Sequence, residues 1–421
     1  MAKIDKRIKK ILKAEVKRQN EGIELIASEN YPSRAVMKLC GTPFMWKYAE
    51  GYPAKRYYGG CENVDAIETL AIEMAKNVFH SEYANVQPHS GSQANAAAYR
   101  ALEKLLLEKG QLDGYRKMKV LSMDLNSGSH LTHGSPVSFS SNVYDFVFFD
   151  LGPAGKINFS ILYDRILEEK PDVVLCGYSA YPYTVHFEKF RETIEKAKKK
   201  LHQEIYLMAD IAHIAGLIAG AQHMNPMPFC DIVTTTTHKT LRGPRGGMIL
   251  WNNDELTKKV NSAVFPYYQG GPFENVIAAK AQMLIEASSP KFRDYALAVK
   301  KNTSKLRDEL KKLGAKVSGT ENHLFLLNTL DSFELTGLDA QKRLEAAGIT
   351  TNKNMIPGDT LSPAKTSGLR IGLAAVTTRG ITKAQIVKLA RIIYYVLSGN
   401  ISTEEAKKEV LSISKHLKKV R

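Results

Sequence analysis

From about residue 64 onward, short β-branched runs alternate with helical patterns, and this alternation restricts the folds open to the chain. Strand candidates lie at 85–88, 119–124, 143–149, 172–178, 205–209, 231–236 and 247–251. Helical patterns lie at 64–80, 93–109, 160–169, 188–201 and 254–260. Strands joined by crossover helices build a mostly parallel sheet covered by helices. Before this region, Ile4, Ile8, Ile11 and Leu12 recur at helical spacing, which predicts an amphipathic opening helix. Residues 22–63 show no periodicity but are rich in Gly, Pro, Asn and aromatics, which predicts an ordered, functional segment. Residues 274–312 read as a long helix with a break near Pro290, followed by strands at 323–329 and 369–373 and helices at 338–346 and 382–398. The expected division is an N-terminal helix (1–20), a large domain (21–280) and a smaller α+β domain (281–421) ending in a Lys-rich helix at 404–420.

Two of the predicted strands end in chemistry. Thr234-Thr235-Thr236-Thr237-His238-Lys239 delivers a lysine into the Gly/Pro-rich turn Arg242-Gly243-Pro244-Arg245-Gly246-Gly247. Upstream, Ile205–Ala209 ends in Asp210, with His213 three residues on. A lysine and an aspartate at the ends of such strands match the needs of pyridoxal phosphate, the lysine forming the Schiff base and the carboxylate keeping the pyridine nitrogen protonated. Ser90-Gly91-Ser92 opens the helix after the strand at 85–88. Small residues there let backbone approach an anion, and the helix N-terminus offers free N–H groups, so this is read as a phosphate cup. His130 and His133 could ligate metal, but no carboxylate or cysteine cluster accompanies them in sequence. Stacking of an imidazole such as His133 on a flat cofactor ring is the preferred use, and no metal is expected. Arg370 opens a strand after Ser367-Gly368, where its planar fork suits a substrate carboxylate.

Composition excludes several classes. Hydrophobic residues make up 44% and charged residues 24%, values of an ordinary globular chain. No apolar run approaches the length of a membrane span, and the start carries Asp5 and no apolar signal core, so a cytoplasmic setting is expected. The four cysteines (40, 61, 176, 230) form no C-x-x-C pair and are read as reduced thiols. The net charge of +16 is spread over the termini and surface-type helices without interleaved aromatics, so a nucleic-acid partner is not expected.

The chain resembles the serine hydroxymethyltransferase family, pyridoxal-phosphate enzymes of the aspartate-aminotransferase fold (type I). The blocks that carry the resemblance include E-L-I-A-S-E-N-Y (24–31), K-Y-A-E-G-Y-P (47–53), K-R-Y-Y-G-G-C-E (55–62), A-N-V-Q-P-H-S-G-S-Q-A-N (84–95), H-L-T-H-G-S-P-V (130–137), T-T-T-T-H-K-T-L (234–241), Q-G-G-P (269–272) and T-S-G-L-R (366–370). It implies a three-layer, mostly parallel large domain with a smaller α+β domain. It also implies reversible transfer of the serine hydroxymethyl group to tetrahydrofolate, giving glycine, in a homodimer with shared active sites. A folate-independent aldolase acting on threonine-like β-hydroxy amino acids is the alternative. Lys239 would bond the cofactor, Asp210 would face the pyridine nitrogen, His130 would stack on the ring and His213 would neighbour the phenolic oxygen. Ser90, Gly91, Ser92 and His238 would surround the phosphate, with Ser179 beside the cofactor. Ser28 and Arg370 would hold the amino-acid carboxylate. Glu50 would be the acid/base between substrate hydroxyl and folate, with Tyr48 and Tyr57 close by. Tyr58 and Gly271 would reach the neighbouring subunit's cofactor. Leu125, the backbone of Ser129, His130 and Leu131, Asn354 and the loop Ser362-Pro363-Ala364 would bracket the folate. The chain also departs from the family pattern: G-T-P-A after Arg370 is replaced by Gly372-Leu373-Ala374-Ala375, and residues 106–119 read as an insertion. L-A-H-G-G-H is replaced by Leu125-Asn126-Ser127-Gly128-Ser129-His130, and Lys365 stands where an aromatic is common.

Overall fold

The computed structural model describes residues 3–420. By contacts the chain divides into two compact units. One is Pro32–Leu297, and the other joins the N-terminal segment through Tyr31 to everything from Ala298 onward. This division differs from the expected one in two respects. The break falls within the helix Pro290–Lys312 and not near 280, and the opening helix is not a separate piece. The reason for the second is a short parallel pairing, Ile23–Glu24 against Ile349–Thr350, which ties the N-terminal segment to the C-terminal core. Ile23 and Leu25 are fully buried in that core with Phe325, Leu344, Ile371 and Ile393. Such a pairing across more than 300 residues leaves no local sequence signal.

The large unit is built on seven strands: β1 (Tyr83–Asn85), β2 (Lys119–Met123), β3 (Asp145–Phe149), β4 (Val173–Cys176), β5 (Tyr206–Asp210), β6 (Ile232–Thr236) and β7 (Gly247–Trp251). Their order in the sheet is β1-β7-β6-β5-β4-β2-β3. The pairs β6·β5, β5·β4, β4·β2 and β2·β3 are parallel, whereas β7 runs antiparallel to both β6 and β1. Every residue of β4, β5, β6 and β7 is buried, so helices cover both faces. The helix Gly91–Glu108 turns Ala94, Ala98, Leu102 and Leu105 into the same cluster as Val173, Met208 and Ile249. In a parallel sheet of this kind ligands bind beyond the carboxyl ends of the strands. Asp210 is the last residue of β5, and Lys239 follows the end of β6 by three residues.

A buried lysine helps fix that end of the sheet. Lys280 lies on the helix Glu274–Ala287, and its Nζ donates to the carbonyls of Val86 (2.6 Å), Pro88 (3.0 Å) and Gly247 (2.9 Å). Burial pulls its pKa down to about 7. Yet three carbonyls each take an N–H, and only the ammonium form has three to give, so the charged form is the one this geometry selects. The expected long helix is two helices, Glu274–Ala287 and Pro290–Lys312, because a proline fits the first turn of a helix but not its interior.

The second unit carries an antiparallel sheet of four strands, β8 (Lys316–Val317), β9 (Leu324–Asn328), β10 (Asn352–Asn354) and β11 (Gly368–Gly372), in the order β8-β9-β11-β10. Asn352 on β10 stands opposite Arg370 on β11. The helices Gly337–Ala346, Lys383–Ser398 and Thr403–Ser414 contribute Leu344, Leu389, Ile393 and Val410 to its core.

Gly177, directly after β4, has φ +97° and is a stringent position in the large unit. A β-carbon there would collide with the backbone of Asp210. Gly177→Ala is therefore expected to cost on the order of 2–4 kcal/mol and to displace Asp210. Chemical denaturation measures the loss, and unaltered stability would contradict this close approach of Gly177 to Asp210.

Candidate active site

Asp210 is the most constrained ionisable group of the large unit. Its side chain is almost fully buried at the end of β5, opposite Thr234 of β6. Oδ2 accepts from Asn95 Nδ2 (2.8 Å) and lies 3.1 Å from His133 Nε2, and Oδ1 accepts from the Ala212 N–H (3.0 Å). Burial by itself would raise the carboxyl pKa. The hydrogen bond and charge of His133, with His130 and Lys239 nearby, outweigh it and hold the group well below the ordinary carboxylate range. The donors are themselves held. Asn95 lies one turn into the helix Gly91–Glu108, and its Oδ1 accepts from Thr234 Oγ1 (2.5 Å), which turns the amide so that Nδ2 faces Asp210 and Thr132 Oγ1 (2.8 Å). Thr132 also meets His130 Nδ1 through its hydroxyl (2.8 Å), and its carbonyl accepts from Tyr99 OH (3.0 Å).

The position of His133 differs from the expected stacking role. Both its ring nitrogens are engaged edge-on, Nε2 with Asp210 and Nδ1 with Ser129 Oγ (2.9 Å), and the ring is buried. The carboxylate that seemed missing from the histidine pair is Asp210, distant in sequence. Ligand-type atoms of His130, His133 and Asp210 lie within 4.8 Å of one another. Oδ2 of Asp210 takes the Asn95 hydrogen bond and the His133 contact. Ser129, one of the departures in the loop before His130, directs its hydroxyl to His133.

Around this carboxylate the fold brings Lys239 and His213, both buried. Thr240 Oγ1 donates to the His213 carbonyl (2.9 Å) and accepts from Gly216 N–H (2.9 Å), joining the turn after β6 to the segment after β5. Lys239 contributes to the electrostatic field at Asp210. Ser179 follows β4, and its N–H donates to Gly128 O (2.9 Å), which fixes the loop carrying Ser129 and His130.

Ser90 caps the helix Gly91–Glu108 by accepting from Gln93 N–H (3.2 Å). A β-carbon on Gly91 would come 2.5 Å from Thr236 Cγ2, so only glycine permits this approach of helix and sheet. The first N–H groups of such a helix point outward without partners in the helix itself and attract anions. His238 lies two residues past the end of β6, directly before Lys239. Burial, with Lys239 and Arg245 close, pushes its pKa down to about 3, so the ring is neutral. Its Nδ1 is buried and has no hydrogen-bond partner among the described residues. A buried imidazole nitrogen left open, a capped helix N-terminus, a buried anion and a buried lysine together fit pyridoxal phosphate.

A second group surrounds Glu50. Tyr58 OH donates to Glu50 Oε2 (3.3 Å), and the Tyr58 and Tyr48 rings meet edge-on at 5.0 Å. Gly271 approaches the Tyr48 ring, and Gly270 approaches Glu50 Oε1. Glu50 is half-buried and makes no ion pair with Lys47 or Lys55; Lys47 Nζ instead donates to the carbonyls of Tyr48 and Gly59. Tyr48, Tyr57 and Tyr58 are exposed, as are Leu125 and Leu131.

In the other unit, Arg370 Nε donates to Asn352 Oδ1 (3.3 Å) and Nη2 lies 3.5 Å from Ser28 Oγ. Burial draws the guanidinium down to about 10. Asn354 Nδ2 donates to the Met355 carbonyl, and Lys353 Nζ staples the Ser362–Ala364 loop through the carbonyls of Pro363 (2.9 Å) and Ala364 (2.5 Å). Asn95, Thr132, Tyr99 and Lys353 were missed by sequence reasoning. Asn95 stood in the A-N-V-Q-P-H-S-G-S-Q-A-N block and could have been read as facing the sheet from its helical position.

Asp210→Asn is expected to destabilise the fold. Either amide orientation sets an N–H against a donor, Asn95 and His133 on one side or Ala212 on the other. The depressed carboxyl contributes stability above the ordinary value of 3.8 and loses it as pH falls below that value. Urea unfolding between pH 5 and 2.5, roughly the window set by this linkage, is expected to show a shallower acid decline for the variant. Parallel declines would remove Asp210 as the responsible group.

The family model described as serine hydroxymethyltransferase matches residues 1–393. The chain is 49% identical over 420 residues to a serine hydroxymethyltransferase of Mesoplasma florum, covering 99% of this chain and 98% of that one. It is 48% identical to that of Lactobacillus gasseri, covering 96% of each. Against the Mycoplasma capricolum protein of the same name it is 47% identical, covering 98% of this chain and 96% of that one. With the strand order, the buried carboxylate and the lysine after β6 already in place, matches over nearly the full length establish that this chain belongs to the serine hydroxymethyltransferase family, whose members are pyridoxal-phosphate-dependent transferases of fold type I with tetrahydrofolate as co-substrate.

Proposed function

We propose that the chain catalyses the reversible transfer of the serine hydroxymethyl group to tetrahydrofolate, giving glycine and 5,10-methylenetetrahydrofolate. The observation that carries this reading is the buried Asp210 carboxylate, kept anionic by His133 within the field of Lys239. Bound pyridoxal phosphate supplies an electron sink for the bond that breaks at the amino acid's α carbon. Lys239 holds the cofactor covalently, and Asp210 retains a proton on the pyridine nitrogen. His133 fixes the Asp210 carboxylate. His130, His213 and Ser179 flank the ring, and Ser90, Gly91, Ser92 and neutral His238 take the phosphate. Arg370 and Ser28 bind the carboxylate of serine or glycine. Glu50 moves the proton of the serine hydroxyl, with Tyr58 OH donating to it and Tyr48 and Tyr57 beside it. Leu125, Ser129, His130, Leu131, Asn354 and Ser362-Pro363-Ala364 border the folate.

The active form in this reading is a homodimer, with Tyr58 and Gly271 serving the neighbouring subunit's cofactor. An apolar stripe supports it: Ile8, Ile11 and Leu12 on the helix Lys6–Glu21, with Ile4 just before it, are all more than half exposed, and that helix buries no residue. A cytoplasmic setting is part of the same proposal. No helix among the described residues is long and apolar enough to cross a membrane.

Purified protein supplied with pyridoxal phosphate is expected to be yellow, and borohydride is expected to fix the cofactor on Lys239, with no adduct in Lys239→Ala. Adduct on another lysine would refute the site. Glu50→Gln is expected to keep the cofactor and to lower folate-dependent serine turnover by about two to four orders of magnitude. Turnover equal to the wild type would remove Glu50 from proton transfer. For the dimer, sedimentation of Ile8→Asp/Ile11→Asp is expected to reveal monomers at concentrations where the wild type remains paired. An unchanged assembly would exclude the helix from the interface.

A further inference from the structure

Glu50 sits just before a hairpin made of only two residues per strand, Gly51–Tyr52 against Lys55–Arg56. A ladder this short does not hold a loop in one place by itself. The hairpin turn is pinned through Ala54, whose N–H donates to Asp65 Oδ2 (2.9 Å). A stronger restraint comes from Arg56. Its Nη1 donates to the carbonyls of Ala49 (2.8 Å) and Gly51 (2.9 Å), the residues on either side of Glu50. The rest of the fork is anchored on the helix Glu62–Phe79, Nε to Asp65 Oδ1 (2.8 Å) and Nη2 to Glu68 Oε2 (2.6 Å). Gln87 Nε2 bridges the same two partners, donating to Gly51 O (2.9 Å) and Glu68 Oε1 (2.8 Å). A third carboxylate, Glu274, lies 3.8 Å from Nη2, and the Arg56 side chain is 3% exposed.

We infer that Arg56 is the positioning residue of Glu50: one buried guanidinium, oriented by Asp65 and Glu68, clamps the backbone on both sides of that carboxylate and sets where it meets the substrate hydroxyl. The inference rests on the proton-transfer role proposed for Glu50. Four hydrogen bonds from one planar group explain why arginine stands here. A lysine has three donors on a single atom and cannot reach both carbonyls and both carboxylates at once. The peptide N–H of Tyr57 donates to Glu50 O (3.1 Å), so the clamp also passes to the tyrosines that follow.

The test is a double-mutant cycle on the holoenzyme with Arg56→Lys, Glu50→Gln and the pair, since coupled residues show non-additive losses. Turnover is measured for serine with tetrahydrofolate and, without folate, for a β-phenyl β-hydroxy amino acid. Arg56→Lys is expected to lower folate-dependent kcat about 10- to 100-fold through misplacement of the acid/base. Serine KM, cofactor absorbance and folate-independent cleavage are expected to stay near the wild type. In the Glu50→Gln background the same change is expected to cost nothing further. Additive losses, or equal losses in both reactions with weakened cofactor binding, would overturn the inference and leave the Glu50 role standing. Full turnover in Glu50→Gln alone would overturn both. If Arg56→Lys does not fold, Asp65→Asn, at a partly exposed partner, replaces it. A several-fold loss silent in the Glu50→Gln background is then expected, and an unchanged or additive effect overturns the inference.

Discussion

A buried negative charge organises the large unit. Placing a carboxylate at the end of a fully buried strand is costly unless donors surround it. The neighbours of Asp210 answer that requirement: an amide from the helix Gly91–Glu108, an imidazole from the loop after β2, and a backbone N–H from its own turn. Each donor is fixed by another contact, Asn95 by Thr234 and His133 by Ser129. The charge therefore acts as a structural constraint on three segments at once. The same contacts hold the carboxyl well below the ordinary carboxylate range, and a ring nitrogen beside the resulting anion would keep its proton.

The second buried charge system serves a different purpose. Arg56 with Asp65, Glu68 and Glu274 lies under the loop that carries Glu50. Burial and the neighbouring Glu68 raise the Glu274 pKa to about 8 despite the nearby guanidinium. Lys280, on the same helix, satisfies three carbonyls at the ends of β1 and β7. The hydrogen-bonded ions here, Arg56 with Asp65 and Glu68 and Lys280 with its three carbonyls, define the geometry of this polar interior because any displacement strands a charge.

Much of the fold was legible because its signals are local. The runs at 172–178, 205–209, 231–236 and 247–251 are β-branched or aliphatic and bounded by turns, and each is a strand within two residues of the expected ends. Pro290 announced the break between two helices. The lysine after β6 and the aspartate ending β5 were visible because reactive residues at strand ends interrupt apolar runs. What was not legible depends on separation in sequence. The antiparallel direction of β7 and the pairing of Ile23–Glu24 with Ile349–Thr350 are examples. So is the division of the chain at Tyr31 and Ala298.

The sequence by itself determined the class of fold, the cofactor chemistry and the family, since periodicity, strand-end residues and motif blocks are properties of contiguous segments. Only the tertiary structure decided what each buried polar group does. His133 became the partner of a carboxylate 77 positions away and not a stacking ring. Arg56, to which its local sequence assigned no role, became a clamp on Ala49 and Gly51. The physical reason is the same in both cases. The role of a charged or polar side chain in an interior is set by which donors and acceptors surround it, and those neighbours are assembled by packing from segments far apart in the chain.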